Sequence, residues 1–159
     1  MKKQFCFFLF ASLLSPVAIF AEFNRDVLDA VRNAYNFKFA ESGRLLEEFI
    51  KKNPENLDGY AGRIIYDFLI INQDPDEKNI ETIVRHLKDL EIRADEACRK
   101  NNSTENRFFQ CFTDYYLMKS LALSQNWAGS FSHAAKARSV ALELKKDIRN
   151  IPDLYFIIG

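Results

Sequence analysis

Residues 34–60, AYNFKFAESGRLLEEFIKKNPENLDGY, constrain the fold more than any other stretch of the chain. They read as the end of one helix, a tight turn, a second amphipathic helix, a proline stop and the start of a third. Phe39, Leu45, Leu46, Phe49 and Ile50 recur at helical spacing on one face. Lys51 and Lys52 sit at the negative end of that helix dipole. Asn53-Pro54 ends it, because proline disfavours the helical conformation of the residue before it. A chain written this way must bury stripes of helix against helix, with short connections between them.

The same period runs through the rest of the chain, and no segment shows sustained alternation. Val27, Leu28, Val31, Ala34 and Tyr35 line a first helix. Leu57, Tyr60, Ala61, Ile64, Ile65, Phe68 and Leu69 make a third that is apolar around a wide arc. Asp74-Pro75-Asp76 is a turn. The fourth helix has a regular seam of Ile80, Ile83, Leu87, Leu90, Ala94 and Ala97, with Glu81, Arg85, Lys88, Asp89 and Glu96 facing water. A polar segment, residues 101–106, precedes a fifth helix with apolar residues over most of its circumference. After a connection at residues 126–129, a sixth runs from about residue 131 to 150 with a small-residue stripe of Ala134, Ala135, Ala137, Ser139 and Ala141. Six helices with short connections make three antiparallel hairpins, an all-α fold. The alternative is an irregular helical bundle.

The first 21 residues stand apart. Lys2 and Lys3 precede an uncharged apolar run from residue 5 to 14, Ser15-Pro16 breaks it, and the segment ends on Ala21. That is the layout of a secretory signal peptide, too short for a spanning helix with polar flanks. Cys6 lies too early in the run for a lipoprotein signal. Residues 22–159 then form one domain, carrying 20 basic and 22 acidic side chains. So even a balance disfavours nucleic acid or anionic lipid as a partner. The expected location is the periplasm or the exterior, with no integral membrane span after cleavage.

Counted back from Pro54, the helix pair from about Asp26 to Pro54 resembles a tetratricopeptide repeat. Ser42 falls at the small-residue position of the second repeat helix, Phe39 at its aromatic start and Leu46 at its large apolar position. Ala30 and Tyr35 suit the small and aromatic positions of the first. The turn between the helices is one residue shorter than the family pattern, and Phe49 stands where a small residue is usual. The later two hairpins are longer, near 48 residues, and resemble only the broader helical-repeat class. The resemblance implies a stack of helix pairs, a TPR-like α-solenoid, whose concave face holds a protein or peptide. It implies no enzyme activity and no cofactor.

Few residues suggest chemistry. The only histidines are His86, on the solvent side of the fourth-helix seam, and His133, in a Ser-rich helix start; both read as surface or capping residues. No HExxH, CxxC, GxSxG or Gly-rich phosphate loop occurs, and no metal site is expected. Asp74, Asp76 and Glu77 do not make a calcium loop, since Lys78 takes the fifth position and no glycine follows. Cys98 and Cys111 flank the turn between the fourth and fifth helices, and an oxidising compartment permits a disulfide. Cys111 lies nearly one helical turn further from that turn, so two packed thiols are favoured over a bond. The aromatic group Phe108, Phe109, Phe112, Tyr115, Tyr116, Trp127 and Phe131 reads as core before groove.

The sequence thus points to an exported, non-enzymatic scaffold or adaptor. Its contacts are expected on the first helix of each hairpin: Tyr60, Arg63, Asp67, Tyr115 and Tyr116. Two other readings stay open. One is a structural protein self-associating through the apolar tail Leu154, Tyr155, Phe156, Ile157 and Ile158, which either folds back or marks a shortened version of a longer array. The other is a small secreted enzyme, which a buried pocket containing Asp67 or Asp114 with a strongly raised pKa would favour.

Overall fold

The computed structural model describes residues 23–74 and 76–147. The signal-peptide segment at residues 1–21, Pro75 and the apolar tail at residues 154–158 lie outside the described residues. Among the described residues the fold is all-α: α1 (Arg25–Tyr35), α2 (Phe39–Lys52), α3 (Leu57–Gln73), α4 (Glu77–Lys100), α5 (Thr104–Leu123) and α6 (Trp127–Asp147).

Side-chain caps set most of the helix starts. Asn24, Asn56, Asp76 and Ser103 accept from the backbone N–H of Asp26, Asp58, Asn79 and Asn106, satisfying donors that a first turn leaves without partners. Asn126 does the same for Gly129, so α6 begins at Trp127, four residues earlier than its apolar pattern suggests. Two connections turn through a left-handed residue that is not glycine, Phe37 and Gln125, each at φ 60°. Phe37 is thereby thrown outward and is 75% exposed.

Paired contacts fix the helix directions. Gly59 faces Phe49 and Ile50, while Gly43 faces Tyr66, so α2 and α3 are antiparallel. Asp67 meets His86 and Tyr60 meets Arg93, which makes α4 antiparallel to α3. Asn106 reaches back to Ala97, and Gln110 to Asp95, across α4 and α5. Ser130 reaches Met118 and His133 reaches Asp114 across α5 and α6. By contrast, Asn24 bonds Asp58, and Gly62 lies against Val27 and Val31, so α1 and α3 are parallel. Phe68 and Tyr116 meet edge to face between α3 and α5, ring centroids 4.7 Å apart. Each helix packs on its chain neighbours, and α1, α3 and α5 also pack in succession. The C-terminal ends of α1, α3 and α5 therefore share one end of the molecule.

The fourth-helix seam lies where its spacing predicts. Ile83, Leu87, Leu90 and Ala94 are fully buried, whereas Glu81, Arg85, Lys88, Asp89 and Glu96 are exposed. One cluster runs from Phe23 through α1–α5, and burying its aliphatic and aromatic side chains supplies the main driving force for folding. A smaller cluster of Cys111, Ala141 and Leu144 joins α5 to α6.

Candidate functional site

Both histidines are paired, contrary to the surface placement their flanking residues suggest. His86 Nδ1 in α4 lies 2.6 Å from Asp67 Oδ2 in α3, and His133 Nδ1 in α6 lies 2.6 Å from Asp114 Oδ1 in α5. Each histidine follows its aspartate by 19 residues. The two pairs are 47 residues apart in sequence, and the helices α3 and α5 that carry the aspartates also begin 47 residues apart. One Asp–His frame thus occurs twice, in successive hairpins.

In the second hairpin the frame is closed. Arg63 Nε lies 3.3 Å from Asp67 Oδ1, and its Nη1 reaches Glu47 on α2 at 3.1 Å. The guanidinium lies 5.3 Å from the centre of the Tyr66 ring. That ring fills the groove over α2, its hydroxyl 3.2 Å from where a Cβ on Gly43 would stand. Asp67 is 6% exposed, and a cation on one side with an imidazole on the other compensates for burying it.

The third hairpin keeps the frame and changes its surroundings. Forty-seven residues after Arg63 stands Gln110, which bonds Asp95 at 2.7 Å instead of reaching Asp114. Tyr66 gives way to Thr113, which turns its hydroxyl back to the Phe109 carbonyl. Nine residues before its end, α2 carries Gly43; at the same distance before its own end, α4 carries Glu91. Loss of the ring and the guanidinium leaves a cavity of about 320 Å³ lined by Glu91, Asp95, Gln110, Thr113, Asp114 and Lys136, among others. Ligand atoms of Glu91, Asp114 and His133, from three different helices, lie within 4.8 Å of one another. The expectation of no metal-ligating group rested on sequence spacing, and these three residues are 23 and 19 apart. Burial raises the Asp114 carboxyl pKa, opposed by the hydrogen bond and charge of His133 and by Lys136.

The five expected contact residues divide between two sides. Tyr60 bonds the Pro54 carbonyl and lies under the Arg93 guanidinium of α4, 4.2 Å from the ring centre. With Arg63 and Asp67 it faces α2 and α4, the second helices of the hairpins, and Asp67 is buried. Tyr115 and Tyr116 lie elsewhere, with Phe68 on the α3–α5 side. Lys119 Nζ sits 5.1–5.6 Å from the ring centres of Tyr115, Phe68 and Tyr116, and burial lowers its pKa to about 8.

Cys98 and Cys111 are free thiols. Cys111 turns toward α6 and donates to the Ala137 carbonyl at 3.4 Å. The aromatic group also splits. Phe109 and Phe112 are core, but Trp127 and Phe131 are 52% and 73% exposed.

Compared with protein-family models, characterised proteins and solved structures, the chain matches none.

Proposed function

We propose that this protein is an exported, non-enzymatic scaffold of tetratricopeptide-like hairpins that holds a protein or peptide partner. The observation that carries this reading is the order of packing. Parallel first helices α1, α3 and α5 lie side by side, each backed by an antiparallel second helix, and the Asp–His frame recurs from one hairpin to the next. Repeated helix pairs stacked on one another form extended binding surfaces.

The binding face in this reading is the α3–α5 side, where Tyr115 and Tyr116 are half-buried beside Lys119. Rigid aromatic side chains with one wet edge are common anchors at protein interfaces. Tyr60, Arg63 and Asp67 are tied to α2 and α4 and take a supporting role. Export rests on the leader pattern of residues 1–21, and among the described residues no helix is long and apolar enough to cross a membrane.

A photo-crosslinking residue at position 115, expressed in the native source, should give one discrete adduct in the exported fraction. The same group at exposed position 85 on α4 should not. Adducts to a second copy of the chain would favour the self-associating reading. Equal labelling from both positions, or recovery of the uncleaved protein in the cytoplasm, would overturn the scaffold reading or its export respectively.

A further inference from the structure

The geometry points to a divalent metal site of the zinc type, formed by Glu91, Asp114 and His133 at the cavity between α4, α5 and α6. Two carboxylates and an imidazole are a ligand set that zinc and its first-row neighbours accept, with open positions left to water or a small ligand. In a tetrahedral site with bonds of about 2.0–2.2 Å, neighbouring ligand atoms stand roughly 3.4 Å apart. Atoms already within 4.8 Å close onto an ion by a modest rotation of the side chains. The hydrogen bond between His133 Nδ1 and Asp114 Oδ1 gives way when the metal enters, because ligand atoms must carry no proton.

The twin frame in the second hairpin is the internal control. There Arg63 supplies the positive charge that Asp67 needs, and Tyr66 occupies the space. In the third hairpin both are gone and a further carboxylate, Glu91, has been added. Glu91, Asp95 and Asp114 bring three negative charges to the cavity, and Lys136 returns one positive charge. A divalent cation brings that lining close to neutral. The Asp–His frame is therefore internally neutralised in one hairpin and left for an external cation in the next.

Titration of the full chain with zinc chloride, followed by calorimetry, should show one strong site. Cobalt chloride should give visible bands of an oxygen and nitrogen environment, without the thiolate charge-transfer band that binding at Cys98 would produce. Glu91→Gln and His133→Gln should each weaken binding at least about tenfold, while His86→Gln stays within about twofold of the wild type. Gln110→Arg, which installs the closing cation of the second hairpin, should also abolish binding and leave the far-ultraviolet circular dichroism unchanged. The proposal fails if zinc does not bind at one equivalent. It also fails if binding survives both Glu91→Gln and Gln110→Arg, or if His86→Gln weakens it as much as His133→Gln does.

Discussion

A γ-methyl of Val27 in α1 lies so close to Gly62 in α3 that a Cβ at residue 62 would stand 2.5 Å from it. Leu46 of α2 would be 3.0 Å away on another side. Gly62 is thus where the first three helices meet. Alanine there gains about 1 kcal/mol of helix propensity but forces apart three well-packed elements, an overpacking cost of about 1–3 kcal/mol. Gly62→Ala should lower stability by about 1 kcal/mol. Urea denaturation of Gly62→Ala, Val27→Ala and the double variant should give strong non-additivity, the double variant being more stable than the two losses predict. Simple additivity would mean the contact is not shared.

Ser42 lies in α2, fully buried, and its Oγ has no hydrogen-bond partner among the described residues. An unsatisfied buried hydroxyl costs about 1–3 kcal/mol. Ser42→Ala should therefore stabilise the protein by about 1 kcal/mol, read as a higher urea midpoint at unchanged slope. A lower midpoint would mean that the hydroxyl has a partner in solution.

The all-α class, the three hairpins and the α4 seam are legible in the sequence because apolar spacing records which face of a helix is buried. Ile83, Leu87, Leu90 and Ala94 obey it without exception. The Asp–His frames are not legible, since a pair 19 residues apart becomes a contact only once the register of two antiparallel helices is fixed. Turn geometry sets that register, and composition does not predict a left-handed Gln125 or the cap at Asn126. Periodicity also fails for Tyr60 and Arg63. It puts them on α3 but does not say whether their side of the helix faces α5 or the α2–α4 groove, and cross-helix pairs with Arg93 and Glu47 decide that. A search of the sequence for residues recurring at an offset of 47 would have found the repeated Asp and His.

The two aspartates should respond differently to neutralisation. Asp67 meets Arg63 and His86, so Asp67→Asn strands a partly buried guanidinium and should cost about 2 kcal/mol or more. Asp114 has no arginine and its charge is already penalised by burial. In metal-free buffer at pH 7, Asp114→Asn should cost less than half as much. Urea denaturation of both variants decides the matter, and equal losses would show the two frames to be energetically alike.

Lys119 should be a destabilising residue at neutral pH. Its pKa falls from the ordinary 10.5 to about 8, so the unfolded chain holds more protons than the folded one between those values. Stability contributed by this group therefore rises with pH across that window, and below about pH 8 the burial penalty is present in full. The three rings offset part of it, but at 5.1–5.6 Å they stand near the edge of effective cation–π range. Lys119→Met should be more stable than the wild type by about 1 kcal/mol at pH 7, after discounting for solvent at the half-buried ammonium. The gap should shrink by pH 9.5. A constant gap across that range would assign the effect to packing.

The cysteines offer a direct test of how α5 meets α6. Cys111 is buried against Ala137, and burial with the nearby Asp114 charge pushes its pKa up to about 12. The thiolate is the reactive form, so at pH 8 Cys111 stays protonated, and α6 shields it. Cys98 is half-buried, its pKa raised by burial and by Asp95. Iodoacetamide at pH 8 should alkylate Cys98 slowly in the native protein and Cys111 only above the urea midpoint, with Cys6 read on its own peptide by mass. Native labelling of Cys111 would mean that α6 opens from α5 without global unfolding. Since Asp114 and His133 bridge the same two helices, that opening would also dismantle the third-hairpin frame, and zinc should suppress the labelling.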